Sequence, residues 1–201
     1  MNKEIGKGSK KMEIEDLKKE LKKYLKDDEK RYLHSIGVMK MSQELAKKYG
    51  ADIERAVKAG LMHDMAKRMS KEEKLQYVEE NNIEASDLEK NMVEILHGKI
   101  AADICKKKYD FDDEMCDAIA NHTTGKENMT LLQKIIFVAD KIDETRTYSD
   151  VKYYRNLASE DLNKAILEII NYVIKDKIES DKPILEQSIK TRNYILLENE
   201  K

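Results

Sequence analysis

The chain is poor in everything that breaks a helix or staples a fold. It has one proline and seven glycines in 201 residues. No stretch alternates apolar and polar residues as a half-buried strand would. Both shortages exclude a β-rich architecture, and the high Lys, Glu, Leu and Ile content predicts an all-α protein. Cysteine is scarce too. Cys105 and Cys116 are separated by a spacing that fits no metal-binding or redox motif, and both fall in helical patterns. They read as small core residues in a reducing cytosol.

An excess of charge of one sign is also missing. The chain carries 38 Lys+Arg against 40 Asp+Glu, a net charge of -2 and a pI near 6.2. That removes the electrostatic case for nucleic acid or an acidic membrane surface as a partner. No apolar run approaches the length of a membrane span, and the N-terminus has no signal-peptide apolar region, so the expected place is the cytoplasm. No repeat or low-complexity segment marks a second domain. Residues 1–11, MNKEIGKGSKK, lack periodicity and read as a disordered extension, leaving residues 12–201 as one domain.

Helical periodicity fills most of the remainder. Ile14, Leu17, Leu21, Tyr24 and Leu25 share one face of a first helix. A second runs from Asp27-Asp28 to Tyr49, stopped by Gly50. A third passes through Ile53, Ala56, Val57, Ala59 and Gly60 and delivers His63-Asp64 at its end, with its small residues inviting close approach of a neighbour. Ser70-Lys71-Glu72-Glu73 has the form of a capping box, and residues 81–91 read as a connection with one short helical turn. Gly98 is expected to break a helix around Val93, Leu96, Ile100 and Ile104. The apolar run Leu132 to Asp140 follows, then a polar link through Tyr148-Ser149-Asp150. Two closing patterns, about 161–178 and 185–197 and separated near Pro183, look like packing or oligomer-contact material, as in a homodimer, and show no chemistry.

The informative residues are the histidines. A His-Asp dipeptide alone equally fits a capping aspartate beside a hydrogen-bonded core histidine. His34 alone, on the face of Val38, Met41 and Leu45, is as readily a core residue. But His34, His63, His97 and His122 are all the histidines of the chain, and each lies on or at the end of an inward-facing stripe. As core residues they would need four separate hydrogen-bond solutions. Asp64 and Asp140 face inward beside them, one helical turn beyond Gly60 and Ile136. Four imidazoles and two carboxylates suit two divalent transition ions sharing a bridging carboxylate, and the lack of cysteine pairs argues against structural zinc. Such a centre activates water as a hydroxide nucleophile and neutralises charge on phosphoryl oxygens, which points to hydrolysis of phosphoesters or phosphoanhydrides.

The pattern His34, His63-Asp64, Asp140 resembles the H…HD…D signature of the HD-domain metal-dependent phosphohydrolases, and His97 and His122 match the extra histidines of their dinuclear members. Longer stretches are similar to the bacterial YqeK family: RYLHSIGV (31–38), AGLMHDMAK (59–67), NHTTG (121–125), MTLLQKIIFVADKID (129–143) and Arg146. The similarity runs from about residue 15 to 197. It implies a single all-α HD-domain helical bundle, a bound pair of metal ions (iron above all, with manganese or cobalt as alternatives) and symmetrical hydrolysis of diadenosine tetraphosphate to two ADP.

On that footing His34, His63, Asp64 and Asp140 would hold one metal, and His97 and His122 the second, with Asp64 as the bridge. Lys67, Lys141 and Arg146 are candidates for phosphate contacts. Arg146 leads, because a guanidinium grips phosphate bidentately, while Lys67 would protonate or stabilise the leaving phosphate. Thr123 and Thr124 would donate to phosphate or merely cap a helix. Asp64, Lys67 and Arg146 form the expected catalytic set for a small-molecule nucleotide substrate. Two rivals stay open: a phosphohydrolase of mononucleotides or a guanosine polyphosphate alarmone, and a catalytically silent nucleotide-binding sensor.

Overall fold

A computed structural model describes residues 12–198, and the expected extension at residues 1–11 lies outside the described residues. The described residues form helices and loops without a strand. The helices are α1 (Ile14–Leu25), α2 (Glu29–Tyr49), α3 (Ile53–Met62), α4 (Lys71–Glu80), α5 (Asp87–Asn91), α6 (Leu96–Tyr109), α7 (Asp113–Ala120), α8 (Leu131–Ile142), α9 (Val151–Glu160), α10 (Leu162–Glu179) and α11 (Glu186–Glu198), with a 3-10 turn at Val93–Ile95 before α6. None is long and apolar enough to cross a membrane.

Local chemistry sets the ends of these helices. Asp28 caps α2 by accepting the Arg31 N–H at 3.0 Å. At its other end Gly50 takes a φ of +73°, so that the Ala51 N–H closes on the Ala46 carbonyl at 2.9 Å. Ser70 and Glu73 make the expected reciprocal capping box, and Ser86–Glu89 and Thr130–Gln133 make two more.

α8 is the axis of the bundle. Leu132, Ile135, Ile136, Phe137, Val138, Ala139 and Ile142 are all buried, so the helix is apolar nearly all round. It packs on α2, α3, α7, α9 and α10, and each fully buried aliphatic side chain contributes roughly 1.5–3 kcal/mol of transfer free energy. α2 lies against both α3 and α8, α7 bridges α3, α6 and α8, and α10 carries α9 and α11 on the far side. Cys105 and Cys116 are buried free thiols in α6 and α7.

Two expectations need correction. Gly98 does not break α6, which runs straight through it. A Cβ there would sit 3.0 Å from the Ala120 carbonyl and 3.1 Å from that of Ile119, so the glycine serves the close approach of α7's end. The second is an omission: residues 151–160, left without an element between the link at 148–150 and the pattern from 161, form α9, with Val151, Tyr154 and Ala158 buried at helical spacing.

α2 and α3 meet through small residues, as their composition predicts. A Cβ on Gly60 would fall 2.5 Å from Ser42 Oγ and 3.2 Å from the Val38 carbonyl. A β-branched side chain at this contact must push the helices apart. Gly60→Val is therefore expected to destabilise the fold by about 1–3 kcal/mol. The check is urea unfolding, where the midpoint should fall at unchanged slope.

Candidate metal centre

Five elements each bring a piece of one buried cluster. His34 lies two turns into α2, His63 and Asp64 follow the last turn of α3, His97 opens α6, His122 follows α7, and Asp140 sits in the last turn of α8. All six are buried. The imidazoles form a row, His34–His63–His122–His97, with ring centroids 5.3, 4.9 and 4.9 Å apart and successive planes inclined at 78°, 82° and 74°.

Hydrogen bonds settle which nitrogen of each ring is available. His63 Nδ1 donates to the Gly60 carbonyl at 2.7 Å, His97 Nδ1 to that of Glu94 at 2.5 Å, and His122 Nδ1 to that of Ile119 at 2.7 Å. A carbonyl only accepts, so each Nδ1 holds the proton and each Nε2 presents a lone pair. Burial lowers the pKa of His97 and holds that of His122 well below its ordinary value, so both rings stay neutral.

The lone pairs then face one another. His97 Nε2 lies 3.1 Å from His122 Nε2 and 2.9 Å from Asp64 Oδ1, while His63 Nε2 is buried without a hydrogen-bond partner. Asp140 Oδ1 lies 3.1 Å from His34 Nε2 and 3.7 Å from His63 Nε2. Acceptors gathered this way repel unless a cation stands among them. The donors fit one: imidazole nitrogen and carboxylate oxygen without sulfur is the chemistry of a divalent transition ion. Two sets of three have ligand atoms mutually within 4.8 Å, His34–His63–Asp140 and His63–Asp64–His122. Asp64 divides its oxygens between the two ends of the row: Oδ2 lies 3.7 Å from His34 and 3.6 Å from His63, while Oδ1 faces His97 and, at 3.7 Å, His122.

Burial opposes the charge of both carboxylates. At Asp140 the adjacent Lys141 ammonium, with His34, outweighs it, so this carboxyl stays well below the usual carboxylate range. Cations also flank them. Arg146 Nη2 donates to Asp140 Oδ1 at 2.7 Å, Lys141 Nζ to Asp140 Oδ2 at 2.5 Å, and Lys67 Nζ lies 3.5 Å from His97 Nδ1. Thr123 Oγ1 is 3.2 Å from His122 Nε2. Thr124 lies elsewhere: its hydroxyl donates to the Gly125 carbonyl, and it lines a separate cavity with Asn121 and Leu185.

Two residues of the cluster's surroundings escaped the sequence reading as site residues. Arg31 Nη1 donates to Asp64 Oδ2 at 2.7 Å. It lies three positions before His34, so helical spacing carried the signal. Asp143 is fully buried with Oδ2 3.2 Å from His34 Nδ1, and its other oxygen accepts from the Thr145 N–H at 2.9 Å. A Cβ on Gly37 would meet Asp143 Oδ1 at 2.6 Å, so this glycine clears the space for the carboxylate under α2. A cavity of about 760 Å³ opens at the His34 end of the row, walled by Arg31, Leu33, Arg146 and Tyr148. Its size is within the roughly 300–1,000 Å³ of small-molecule sites.

The chain is similar to known proteins over most of its length. The family model for the HD domain matches residues 31–145. The symmetrical bis(5'-nucleosyl)-tetraphosphatase of Bacillus subtilis is 36% identical over 84% of this chain and 90% of its own length. The protein of that name from Halalkalibacterium halodurans is 38% identical over 85% of this chain and 91% of its own. A crystal structure of a predicted HD superfamily hydrolase involved in NAD metabolism, from Clostridium acetobutylicum, superposes with a TM-score of 0.89 at 34% identity, covering 94% of this chain and all of that one. The matched span opens before His34 and closes after Asp140, so all six donors fall inside it, and the chain belongs to the HD domain family.

Proposed function

We propose that this chain hydrolyses dinucleoside tetraphosphates symmetrically, taking diadenosine tetraphosphate to two ADP at a two-metal centre. The observation that carries the reading is the division of Asp64, with one oxygen toward His34 and His63 and the other toward His97 and His122. A carboxylate so placed is suited to bridge two adjacent cations. The names of the two tetraphosphatases, matched over most of the chain, supply the substrate class.

In this reading His34, His63, Asp140 and Asp64 would hold one ion, and His97 and His122, with Asp64 shared, the other. Iron is the favoured metal, and the donor types serve manganese or cobalt nearly as well. Bound there, the pair would supply charge neutralisation for the transferring phosphoryl group and a nucleophile at neutral pH. The protein's own groups do the positioning. Arg31 and Arg146 line the cavity at His34 and present guanidinium forks to phosphate oxygens. Lys67 and Lys141 add charge on either side, and Lys67 stabilises the leaving phosphate. One water oxygen is added to a central phosphorus, the bridging P–O bond between the second and third phosphates breaks, and each half leaves as ADP.

Asp143 faces His34 Nδ1 with Oδ2 at 3.2 Å, an ion-pair contact without the hydrogen bond that fixes each of the other three rings, and its charge would raise the basicity of the opposite nitrogen. Burial works against a proton on His34, yet Asp140 and Asp143 prevail and raise its pKa.

Chromatography of metal-loaded protein with diadenosine tetraphosphate should give ADP alone, and a chelator should stop it; ATP plus AMP would refute symmetrical cleavage. Asp64→Ala should lose both bound metal and turnover, so unchanged metal content by elemental analysis would sink the bridging assignment. Asp143→Ala should weaken metal affinity about 10–100-fold, as removal of such a supporting partner typically does. Titration with manganese or cobalt measures this independently of turnover, and an unchanged affinity would remove Asp143 from the site.

A further inference from the structure

A second cavity, about 530 Å³, opens at the opposite end of the imidazole row. It reaches the cluster through Lys67, His97 and Thr123. Beyond them its walls change character. Met92, Val93, Ile95 and Pro183 form an apolar floor, and Lys71, Lys177 and Lys182 stand around it. Lys177 and Lys182 come from the end of α10 and the turn toward α11, where the sequence offered no chemistry. The floor is well held: Lys74, almost completely buried, places its ammonium 3.0 Å from both carboxylate oxygens of Glu94, in the 3-10 turn that also supplies the carbonyl for His97.

We propose that this cavity seats the second nucleoside diphosphate half of the substrate, with the base on the apolar floor and Lys182 on the phosphate next to the nucleoside. The proposal rests on the reading of the chain as a dinucleoside tetraphosphatase. Symmetrical cleavage sets the central bridging bond over the metal centre, so two like halves must run outward in opposite directions. The structure has one recess at His34 and another at His97, each within the size range of a small-molecule site and each carrying positive charge beside the cluster. A mononucleotide hydrolase needs only one. The two recesses are chemically unlike, with guanidinium groups and a tyrosine at the His34 end and ammonium groups over aliphatic side chains at the other. A symmetrical substrate is therefore held unsymmetrically, and the two ADP products are held by different contacts.

Equilibrium dialysis of the metal-loaded protein against ADP should find two ADP per chain, and a single one in Lys182→Glu, an exposed position that does not threaten folding. In kinetics, Lys182→Glu should raise the KM for diadenosine tetraphosphate by about tenfold or more, the scale of one lost charged hydrogen bond. It should change the KM for adenosine tetraphosphate, which has one nucleoside, by less than about twofold. One ADP per wild-type chain, or equal effects on both substrates, would overturn the assignment. If the wild-type protein makes no ADP from diadenosine tetraphosphate, the parent reading falls instead, and two bound ADP would still mark both recesses as nucleotide sites.

Discussion

The structure turns on a confrontation of acceptors. Three rings commit their only proton to the backbone, and their remaining nitrogens crowd against each other and against two carboxylates. Such a cluster is costly in a dry interior. In a core that is otherwise largely apolar, a cation among these acceptors would relieve that cost. The rest of the architecture follows from that need. α2, α3, α6, α7 and α8 are drawn together tightly enough for six side chains from five places in the chain to converge, and glycines at 37, 60 and 98 sit where a Cβ would hold backbones or carboxylates apart.

The same constraint explains the placement of positive charge. Arg31, Arg146 and Lys141 donate directly to the two carboxylates of the cluster, so cation and anion alternate outward from it, and these pairs hold the guanidinium groups at the His34 recess in place. Arg146 is further fixed by donating Nε to the Asp140 carbonyl at 2.9 Å. Arg155 supports the same loop from α9, donating to the carbonyls of Ile142 and Asp143 at 2.8 and 2.6 Å. That helix thereby braces the loop that carries Arg146.

What the sequence makes legible is what is periodic or compositional. The strong stripes of α1 and α3, the apolar run of α8, the capping box at Ser70, and the helix stop at Gly50 can be read directly, because each is a local rule acting within a few residues. The six donors are legible for a different reason: histidine is rare here, and all four copies point inward. Illegible were features whose meaning is tertiary. Gly98 has the same letters whether it breaks a helix or admits a neighbouring one, and only the nearness of Ile119 and Ala120 decides. Asp143 and Arg31 look like surface charges until the partner helix is in place. Lys182 and Pro183 belong to a turn whose position depends on how α10 packs on α8.

The three backbone-anchored histidines share one geometry: each Nδ1 donates to the carbonyl three residues earlier in its own chain. Their orientation is thus fixed within a single turn of backbone. His34 is the exception, its Nδ1 facing a carboxylate more than a hundred positions away in sequence. Three rings are aimed by their own local backbone and the fourth only by closure of α2 against the end of α8. His34 is therefore a latch, the ring whose alignment records that the long-range assembly is complete.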